Sequence, residues 1–170
     1  MPIYEAALQG AFLALDHEVQ RAHLPPLVAV GCVDVEHGSH WTAPPLVKLL
    51  KLPASGRGQP VHLQVTLDGD TLVWTRIIGS VTLETRQQAM ASSIEERTGL
   101  GRIVFRLKVE DGALLYRQTS LSVGGIRLPR EIAPQVAACV SAATGGWYVE
   151  VRVTWRSHLV CRYAGRMAVA

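Results

Sequence analysis

The sequence predicts a mainly β fold, an antiparallel β-barrel with an N-terminal α-helix and a second short helix. Apolar and polar residues alternate along most of the chain, and this period of two is typical of strands with one buried face. Short turns such as Asp68-Gly69 and Asp111-Gly112 separate the alternating runs, which favours antiparallel hairpins. The length of 170 residues suits one domain of ordinary size, so we expect a single domain over residues 1–170.

The N-terminal segment is predicted to form one amphipathic helix over residues 3–23. Polar side chains such as Glu5 and Asp16 fall away from its apolar stripe. The helix should end before Pro25, because proline lacks the amide hydrogen that a helix interior needs. The stripe recurs at steps of three and four residues and consists of Tyr4, Leu8, Ala11, Phe12, Leu15, Val19 and Ala22.

A second short helix is predicted after Pro44 and Pro45, since proline is favoured in the first turn of a helix. Pro53 should end this helix. The side chains expected to face inward are Leu46, Leu49 and Leu50.

The rest of the chain is predicted to form about nine or ten strands joined mostly by short turns. A meander of this kind needs closure into a barrel or protection of its edges, and the N-terminal helix can cover it. We therefore expect a closed or nearly closed barrel of lipocalin-like type. The predicted strands are residues 27–36, 60–67, 71–78, 81–88, 93–98, 102–110, 113–123, 135–143, 147–155 and 159–167.

Composition and charge indicate an interior site rather than a polyanion-binding surface. Hydrophobic residues make up 48% of the chain and charged residues only 18%, so part of the apolar excess can line a cavity. The net charge is +3, and the basic residues are scattered singly instead of forming a stripe. We therefore predict no nucleic-acid partner.

The N-terminus and the cysteines predict a cytoplasmic location. The first residues lack a basic region, and Glu5 and Asp16 interrupt their apolar positions, so we expect neither a signal peptide nor membrane insertion. Cys32, Cys139 and Cys161 are widely spaced and odd in number, which is typical of a reducing compartment.

No common catalytic or cofactor motif is present in the sequence. His37 and His40, with Asp34 and Glu36 just before them, could in principle supply metal ligands. Because they lie where a strand runs into a loop, a solvated loop is the preferred interpretation. We therefore predict no metal and no organic cofactor.

Arg76 is the most informative residue, because strand alternation places it on the inward face with Trp74 and Ile78. An unpaired guanidinium is too costly to bury, so Arg76 must reach the barrel mouth or find partners inside. Two interpretations stay open. Arg76 either binds the carbonyl or acidic group of a ligand, or serves as a structural arginine at the rim.

The same alternation predicts the lining of a pocket. Arg76 and Tyr116 are the candidate catalytic residues. The strand from Trp147 to Trp155 should turn both tryptophans inward, whereas Glu84, Arg86, Glu95, Glu96 and Arg97 should form charge pairs on the outer face. The residues expected to bind substrate are Trp74, Thr85, Phe105, Gln118 and Trp155.

Several segments spread over nearly the whole chain carry a family resemblance. They include AFLALDHEVQRAH, GCVDVEHG, WTRIIGSVTLETR, FRLKVEDGALLYR, GIRLPREIAPQV and VCRYAGRM. Together these segments resemble the bacterial domain-of-unknown-function family 4166, whose members also occur fused after saccharopine-dehydrogenase-like reductases. Two departures, at Ile78 to Ser80 and at Gly165 to Met167, imply an altered cavity. The family brings no catalytic residues to carry over.

The chain also resembles, in general character, small cofactor-free β-barrels that shape reactive polyketide chains in bacterial biosynthesis. This resemblance implies an enzyme that binds a hydrophobic, conjugated, polyketide-like molecule and promotes cyclisation or isomerisation. Two alternatives stay open: a non-catalytic carrier of a lipophilic ligand and an interaction module for a reductase partner. A homodimer is also left open.

Overall fold

The computed structural model describes residues 2–170 and contains a closed antiparallel barrel. The strands are β1 (Leu27–His37), β2 (Gly56–Asp68), β3 (Thr71–Ile78), β4 (Val81–Met90), β5 (Ser93–Thr98), β6 (Gly101–Glu110), β7 (Ala113–Val123), β8 (Ile126–Arg127), β9 (Gln135–Ala143), β10 (Gly146–Trp155) and β11 (His158–Val169). The strand order is β6-β5-β4-β3-β2-β1-β11-β10-β9-β7-β8, and an additional β6–β7 pairing closes the ring. The two-residue β8 only adds to the edge of β7, so ten strands form the wall.

The predicted fold class is confirmed, and β3, β5, β7 and β9 have the predicted bounds. Turn chemistry explains this agreement, because Gly69 and Gly112 have φ of 60° and 77°, a region that glycine adopts without strain. The main difference in bounds is β2, which begins four residues before Pro60 at Gly56. In the described part of the chain, residues 2–170, no helix is long and apolar enough to cross a bilayer.

The N-terminal segment is not the single helix predicted over residues 3–23. It consists of α1 (Ile3–Leu8), a 3₁₀ helix (Gln9–Ala14) and α2 (His17–Ala22). The backbone amide of Asp16 donates to the carbonyl oxygen of Gly112 at 2.9 Å. This hydrogen bond attaches the junction between the 3₁₀ helix and α2 to the β6–β7 turn. A continuous helix of about 20 residues would be a straight rod of about 30 Å. The broken segment instead follows the end of the barrel and buries its apolar residues there.

The second helix, α3 (Ala43–Leu49), begins one residue before Pro44. Leu46 packs against the core, but Leu49 is 75% exposed and Leu50 is 36% exposed, so their predicted inward orientation is wrong. The physical reason is the short length of α3, which packs mainly against β11 and β1. One narrow side of such a helix can reach the barrel.

The barrel has two different ends. The helical end carries the turns at 69–70, 91–92, 111–112 and 144–145. There α1 contacts β4, β5 and β6, while α2 contacts β9 and β10. The open end carries the opposite turns, and α3 covers only its β1–β11 side.

A candidate ligand-binding cavity

The barrel contains a cavity of about 160 Å³. Its wall is largely apolar, because the inward positions of nearly every strand carry aliphatic or aromatic side chains. The apolar lining includes Val33, Val61, Leu63, Ile78, Ile103, Phe105, Val136, Val149, Val151 and Met167.

The burial of inward side chains shows where the cavity opens. Toward the helical end, Leu72 and Leu114 are completely buried. Farther along the strands, the lining residues Ile103, Val136 and Val151 are only partly buried. The cavity therefore opens toward the open end, and the N-terminal helices close its floor.

Arg76 lines this cavity, as the strand alternation predicted. Its Nη1 donates to Oγ1 of the buried Thr85 at 3.0 Å, and its guanidinium carbon lies 5.0 Å from the ring centroid of Trp74. Within residues 2–170 no carboxylate lies within 4.0 Å of Arg76, and neither Tyr116 nor Gln118 bonds to it. The guanidinium therefore has no carboxylate in direct contact and presents its positive charge to a half-buried part of the cavity.

Two further predicted residues, Phe105 and Tyr116, also line the cavity. Their ring centroids lie 6.0 Å apart with an interplanar angle of 90°, which is the edge-to-face arrangement that aromatic pairs favour. Trp74, Arg76, Phe105 and Tyr116 are thus brought together in the lining, whereas Thr85 does not line the cavity and accepts a hydrogen bond from Arg76.

Gln118 and Trp155 do not line the cavity, so their predicted placement is wrong. Gln118 donates to the carbonyl oxygen of Pro134 at 2.9 Å and accepts from the amide of Val136 at 3.0 Å. It bridges the gap that opens because β7 pairs with β9 only up to Arg117.

The indole of Trp155 lies outside the cavity and donates to the carbonyl oxygen of Ile132 at 3.0 Å. The β10–β11 register shifts between Val153 and Thr154, just before Trp155. An irregularity of this kind changes the direction of the side chains that follow it. Simple alternation therefore assigns Trp155 to the wrong side of the strand.

A chain of hydrogen bonds, called the polar chain below, forms part of the cavity lining. It consists of Glu96, Gln87, Tyr4, Tyr116 and His23, which all line the cavity. Gln87 Nε2 donates to Glu96 Oε2 at 2.5 Å, and the Tyr4 hydroxyl lies 2.7 Å from Gln87 Oε1. The hydroxyls of Tyr4 and Tyr116 are 3.0 Å apart, and the Tyr116 hydroxyl lies 2.7 Å from His23 Nε2.

His23 fixes the direction of these hydrogen bonds. Its Nδ1 lies 2.6 Å from the carbonyl oxygen of Val19, which can only accept, so Nδ1 carries a hydrogen. Burial lowers the pKa of His23 to about 4, so the ring is neutral near pH 7 and Nε2 accepts from Tyr116. Burial also raises the pKa values of Tyr4 and Tyr116, which keeps both hydroxyls protonated.

The polar chain is short of one hydrogen when Glu96 is ionised. Five close contacts lead from Glu96 to the carbonyl oxygen of Val19, and each of them needs one hydrogen. Only four hydrogens are available for these contacts, one each from Gln87, Tyr4, Tyr116 and His23. If the Glu96 carboxyl gains a proton and the side-chain amide of Gln87 rotates by about half a turn, each of the five contacts has one hydrogen. The chain is therefore suited to accepting and returning a proton at the cavity wall.

Glu96, Tyr4 and His23 were not predicted as site residues. Glu96 was expected on the outer face, and this prediction is wrong because Glu96 shares the inward face of β5 with the buried Ile94. Strand alternation, counted in steps of two residues from Ile94, places Glu96 on the inward face and could have identified it as a site residue. Tyr4 and His23 reach the cavity through the path of the N-terminal helices, which no local pattern reveals.

Glu95 does lie on the opposite face of β5, although it is only 3% exposed. Arg97 and Arg102 each donate through Nε to one of its carboxylate oxygens at 2.6 Å. Burial opposes ionisation, but these two hydrogen bonds outweigh it and lower the pKa of Glu95. Arg86 pairs with Asp68 at 3.1 Å, so ion pairs do form on this face, but Asp68 and Arg102 were not among the residues predicted to form them.

Trp74 contributes a donor without a partner. Its indole Nε1 is buried, and no acceptor in residues 2–170 bonds to it. The indole centroid lies 6.0 Å from that of His23 and 6.5 Å from that of Tyr4, so the polar chain is close by.

The histidines considered as metal ligands have other contacts. His37 Nε2 lies 2.7 Å from the carbonyl oxygen of Pro53, and His40 Nδ1 lies 2.8 Å from Thr42 Oγ1. The ring of His40 also stacks on His158 with centroids 3.9 Å apart. In the part of the chain from Pro2 onward, no three His, Cys, Asp or Glu side chains are grouped so as to hold a metal ion.

Several solved structures are similar to the chain. A secretary abundant heat soluble protein from Ramazzottius varieornatus is 8% identical, with a TM-score of 0.46, and the match covers 84% of this chain and 93% of that one. Apo lipid binding protein 8 of Caenorhabditis elegans is 12% identical, with a TM-score of 0.47 and the same coverage of 84% and 93%. The REP1-NXSQ fatty acid transporter is 11% identical, with a TM-score of 0.44 and again 84% and 93% coverage.

No curated protein matches the sequence. The model of one protein family matches residues 15–167, which is most of the chain and includes all of the barrel strands up to Met167. The family resemblance found in the sequence segments is thereby confirmed. The chain belongs to the family described as domain of unknown function DUF4166.

Proposed function

We propose that this protein is a cofactor-free enzyme that binds a hydrophobic, conjugated carbonyl compound in the cavity and promotes its isomerisation or cyclisation by proton transfer. The observation that carries the proposal is the polar chain, which brings the Glu96 carboxyl and two tyrosine hydroxyls to an apolar cavity that also contains Arg76. Acid–base groups and a cation in one apolar cavity are what such chemistry requires.

Binding is supplied by the apolar wall, since removing apolar ligand surface from water is favourable by about 25 cal/mol per Å². The same wall limits the shapes that a bound molecule can adopt. Holding a flexible molecule in a reactive geometry can by itself contribute roughly 7–11 kcal/mol in favourable cases.

Arg76 has the catalytic role of stabilising negative charge on the substrate oxygen. When a proton leaves a carbon next to a carbonyl group, the electron pair of the C–H bond becomes the C=C bond of an enolate, and the π pair of the C=O bond moves onto the oxygen. A guanidinium without a carboxylate partner lowers the energy of the resulting enolate, and more so in an apolar cavity than in water.

The polar chain has the role of holding the proton between steps. Glu96 takes the proton from one carbon of the conjugated system and supplies the hydrogen that the chain lacks. Tyr116 is the second candidate catalytic residue, because its hydroxyl lies in the polar chain and its side chain lines the cavity. Return of the proton to another carbon completes an isomerisation with no net oxidation or reduction.

Solvent deuterium exchange tests this proposal without knowledge of the natural substrate. The probe is 2-tetralone in deuterium oxide, and NMR measures the loss of its α-proton signals with and without the protein. We expect exchange at least tenfold faster than in buffer alone. Saturable binding of 2-tetralone with exchange at the buffer rate would instead support the carrier alternative.

A further inference from the structure

We propose that Trp74 determines ligand specificity and that its indole N–H selects a compact cyclic ketone, a molecule of one or two rings with one buried carbonyl oxygen. This inference rests on the proposed function for the site and goes further by naming the substrate class. It is carried by the unpartnered indole nitrogen.

The indole nitrogen needs an acceptor that residues 2–170 do not supply. The side chain of Trp74 is only 7% exposed, and buried polar groups of folded proteins almost always have a hydrogen-bond partner. An indole N–H can only donate, so the partner must be an acceptor. Trp74 also lines the cavity, so a ligand acceptor can reach the nitrogen, which is itself enclosed in this structure, when the indole ring shifts.

The surroundings of Trp74 favour a neutral carbonyl oxygen over a carboxylate. The indole donor is uncharged, and the nearest aromatic neighbours are Tyr4 and His23, whose pKa values are shifted so that both stay neutral near pH 7. An ionised carboxylate would lose its hydration there and would depend for compensation on Arg76, whose guanidinium carbon lies 5.0 Å from the Trp74 ring centroid. A ketone oxygen loses much less hydration.

The cavity volume favours a compact molecule over a long chain. An engineered cavity of about 150 Å³ lined by aliphatic and aromatic side chains binds benzene. The cavity of about 160 Å³ in this barrel is therefore suited to one or two rings. A long polyketide-like chain would not be enclosed.

A matched pair of ligands and a matched pair of variants test the inference. The ligands are 2-tetralone and tetralin, which have the same two rings and differ by the carbonyl group. Trp74→Phe removes the N–H and keeps an aromatic ring. Trp155→Phe is the control, because Trp155 lies outside the cavity and already donates to Ile132. Titration calorimetry gives the ratio of the two dissociation constants for each protein.

We expect the preference for 2-tetralone over tetralin to fall about tenfold in Trp74→Phe and to stay unchanged in Trp155→Phe. An equal preference in all three proteins would overturn the inference, as would failure of the wild type to bind either ligand. If Trp74→Phe does not fold, the indole N–H signal of Trp74 in the proton NMR spectrum of the wild type tests the inference. It should move downfield with 2-tetralone and not with tetralin, and no movement would overturn the inference.

The inference and the proposed function can fail separately. Binding of 2-tetralone through Trp74 without faster deuterium exchange would contradict the proposed catalysis and leave the ligand class standing. Faster exchange with an unchanged ligand preference in Trp74→Phe would contradict the role of Trp74 and leave the catalysis standing.

Discussion

The hydroxyl groups of Tyr4 and Tyr116 lie 3.0 Å apart at the floor of the cavity, although the two residues are 112 positions apart in the chain. One comes from α1 and the other from the wall strand β7. This contact connects the N-terminal helices to the barrel wall inside the core, and it links Gln87 to His23.

Tyr116→Phe should destabilise the fold, because it leaves His23 Nε2 without a donor and removes one of the two polar neighbours of the Tyr4 hydroxyl, the other being Gln87. We expect a loss of about 1–3 kcal/mol in the free energy of unfolding, measured by urea denaturation. Tyr148→Phe is the control, since Tyr148 lies on the other face of β10 from the cavity-lining Val149. A loss no greater than in the control would show that the polar chain does not stabilise the fold.

Glu96→Gln should leave the protein as stable as the wild type or stabilise it by about 1 kcal/mol. The new amide keeps the shape of the carboxyl group and supplies the fifth hydrogen that the polar chain lacks. Glu96→Ala should destabilise instead, since it leaves Gln87 without this partner. Thermal denaturation at pH 7 compares the two variants, and a lower melting temperature for Glu96→Gln than for Glu96→Ala would contradict the hydrogen count.

The stability of the protein should depend on pH through His23. Burial lowers the pKa of His23 from 6.5 to about 4, so between these values the unfolded chain binds a proton that the folded chain does not. The free energy of unfolding therefore falls as the pH falls through this range, by about 3 kcal/mol from this residue. The neighbouring charged and titratable groups that line the cavity are Arg76, Glu96 and the tyrosines.

Urea denaturation at pH 7 and pH 4 measures this dependence. His23→Gln should reduce the difference between the two pH values, whereas His17→Gln should not, because the His17 side chain is 79% exposed. If the free energy of unfolding changes equally between pH 7 and pH 4 in His23→Gln and in the wild type, His23 is not buried in its neutral form.

Gly165→Ala should destabilise the barrel wall where β11 crosses β1. A Cβ at residue 165 would meet the backbone carbonyl oxygen of Cys32, only 1.9 Å away, so one strand has to move. We expect a loss of about 1–3 kcal/mol or more, measured as a lower melting temperature. Gly10→Ala is the matched control, since nothing lies within 4 Å of its added Cβ. Equal melting temperatures for the two variants would contradict this close approach of strands.

Much of the fold follows from local sequence. Alternation and Asp-Gly turns act over a few residues, so they predict the bounds of β3 and the inward orientation of Trp74 and Arg76 without knowledge of the rest of the chain. Barrel closure follows from the number of strands and the need to protect their edges.

The remaining parts of the site depend on contacts between distant segments. The break at Asp16 is fixed by Gly112, and Gln118 leaves the cavity lining because β7 and β9 separate beyond Arg117. Tyr4 and His23 enter the site from the helices that cover the barrel. Glu96 differs from Tyr4 and His23, because local strand alternation from Ile94 places it on the inward face. Its charge favoured the outer face instead, and the prediction followed the charge.

Arg76→Ala measures the central claim most directly, through the rate of solvent deuterium exchange into saturating 2-tetralone together with the dissociation constant. Arg86→Ala is the control, because Arg86 pairs with Asp68 on the outer face of the barrel. We predict that Arg76→Ala lowers the exchange rate at saturation at least tenfold and changes the dissociation constant by less than about threefold, because charge on the oxygen develops only in the transition state. An exchange rate equal to that of Arg86→Ala would contradict the proposal that Arg76 stabilises the enolate.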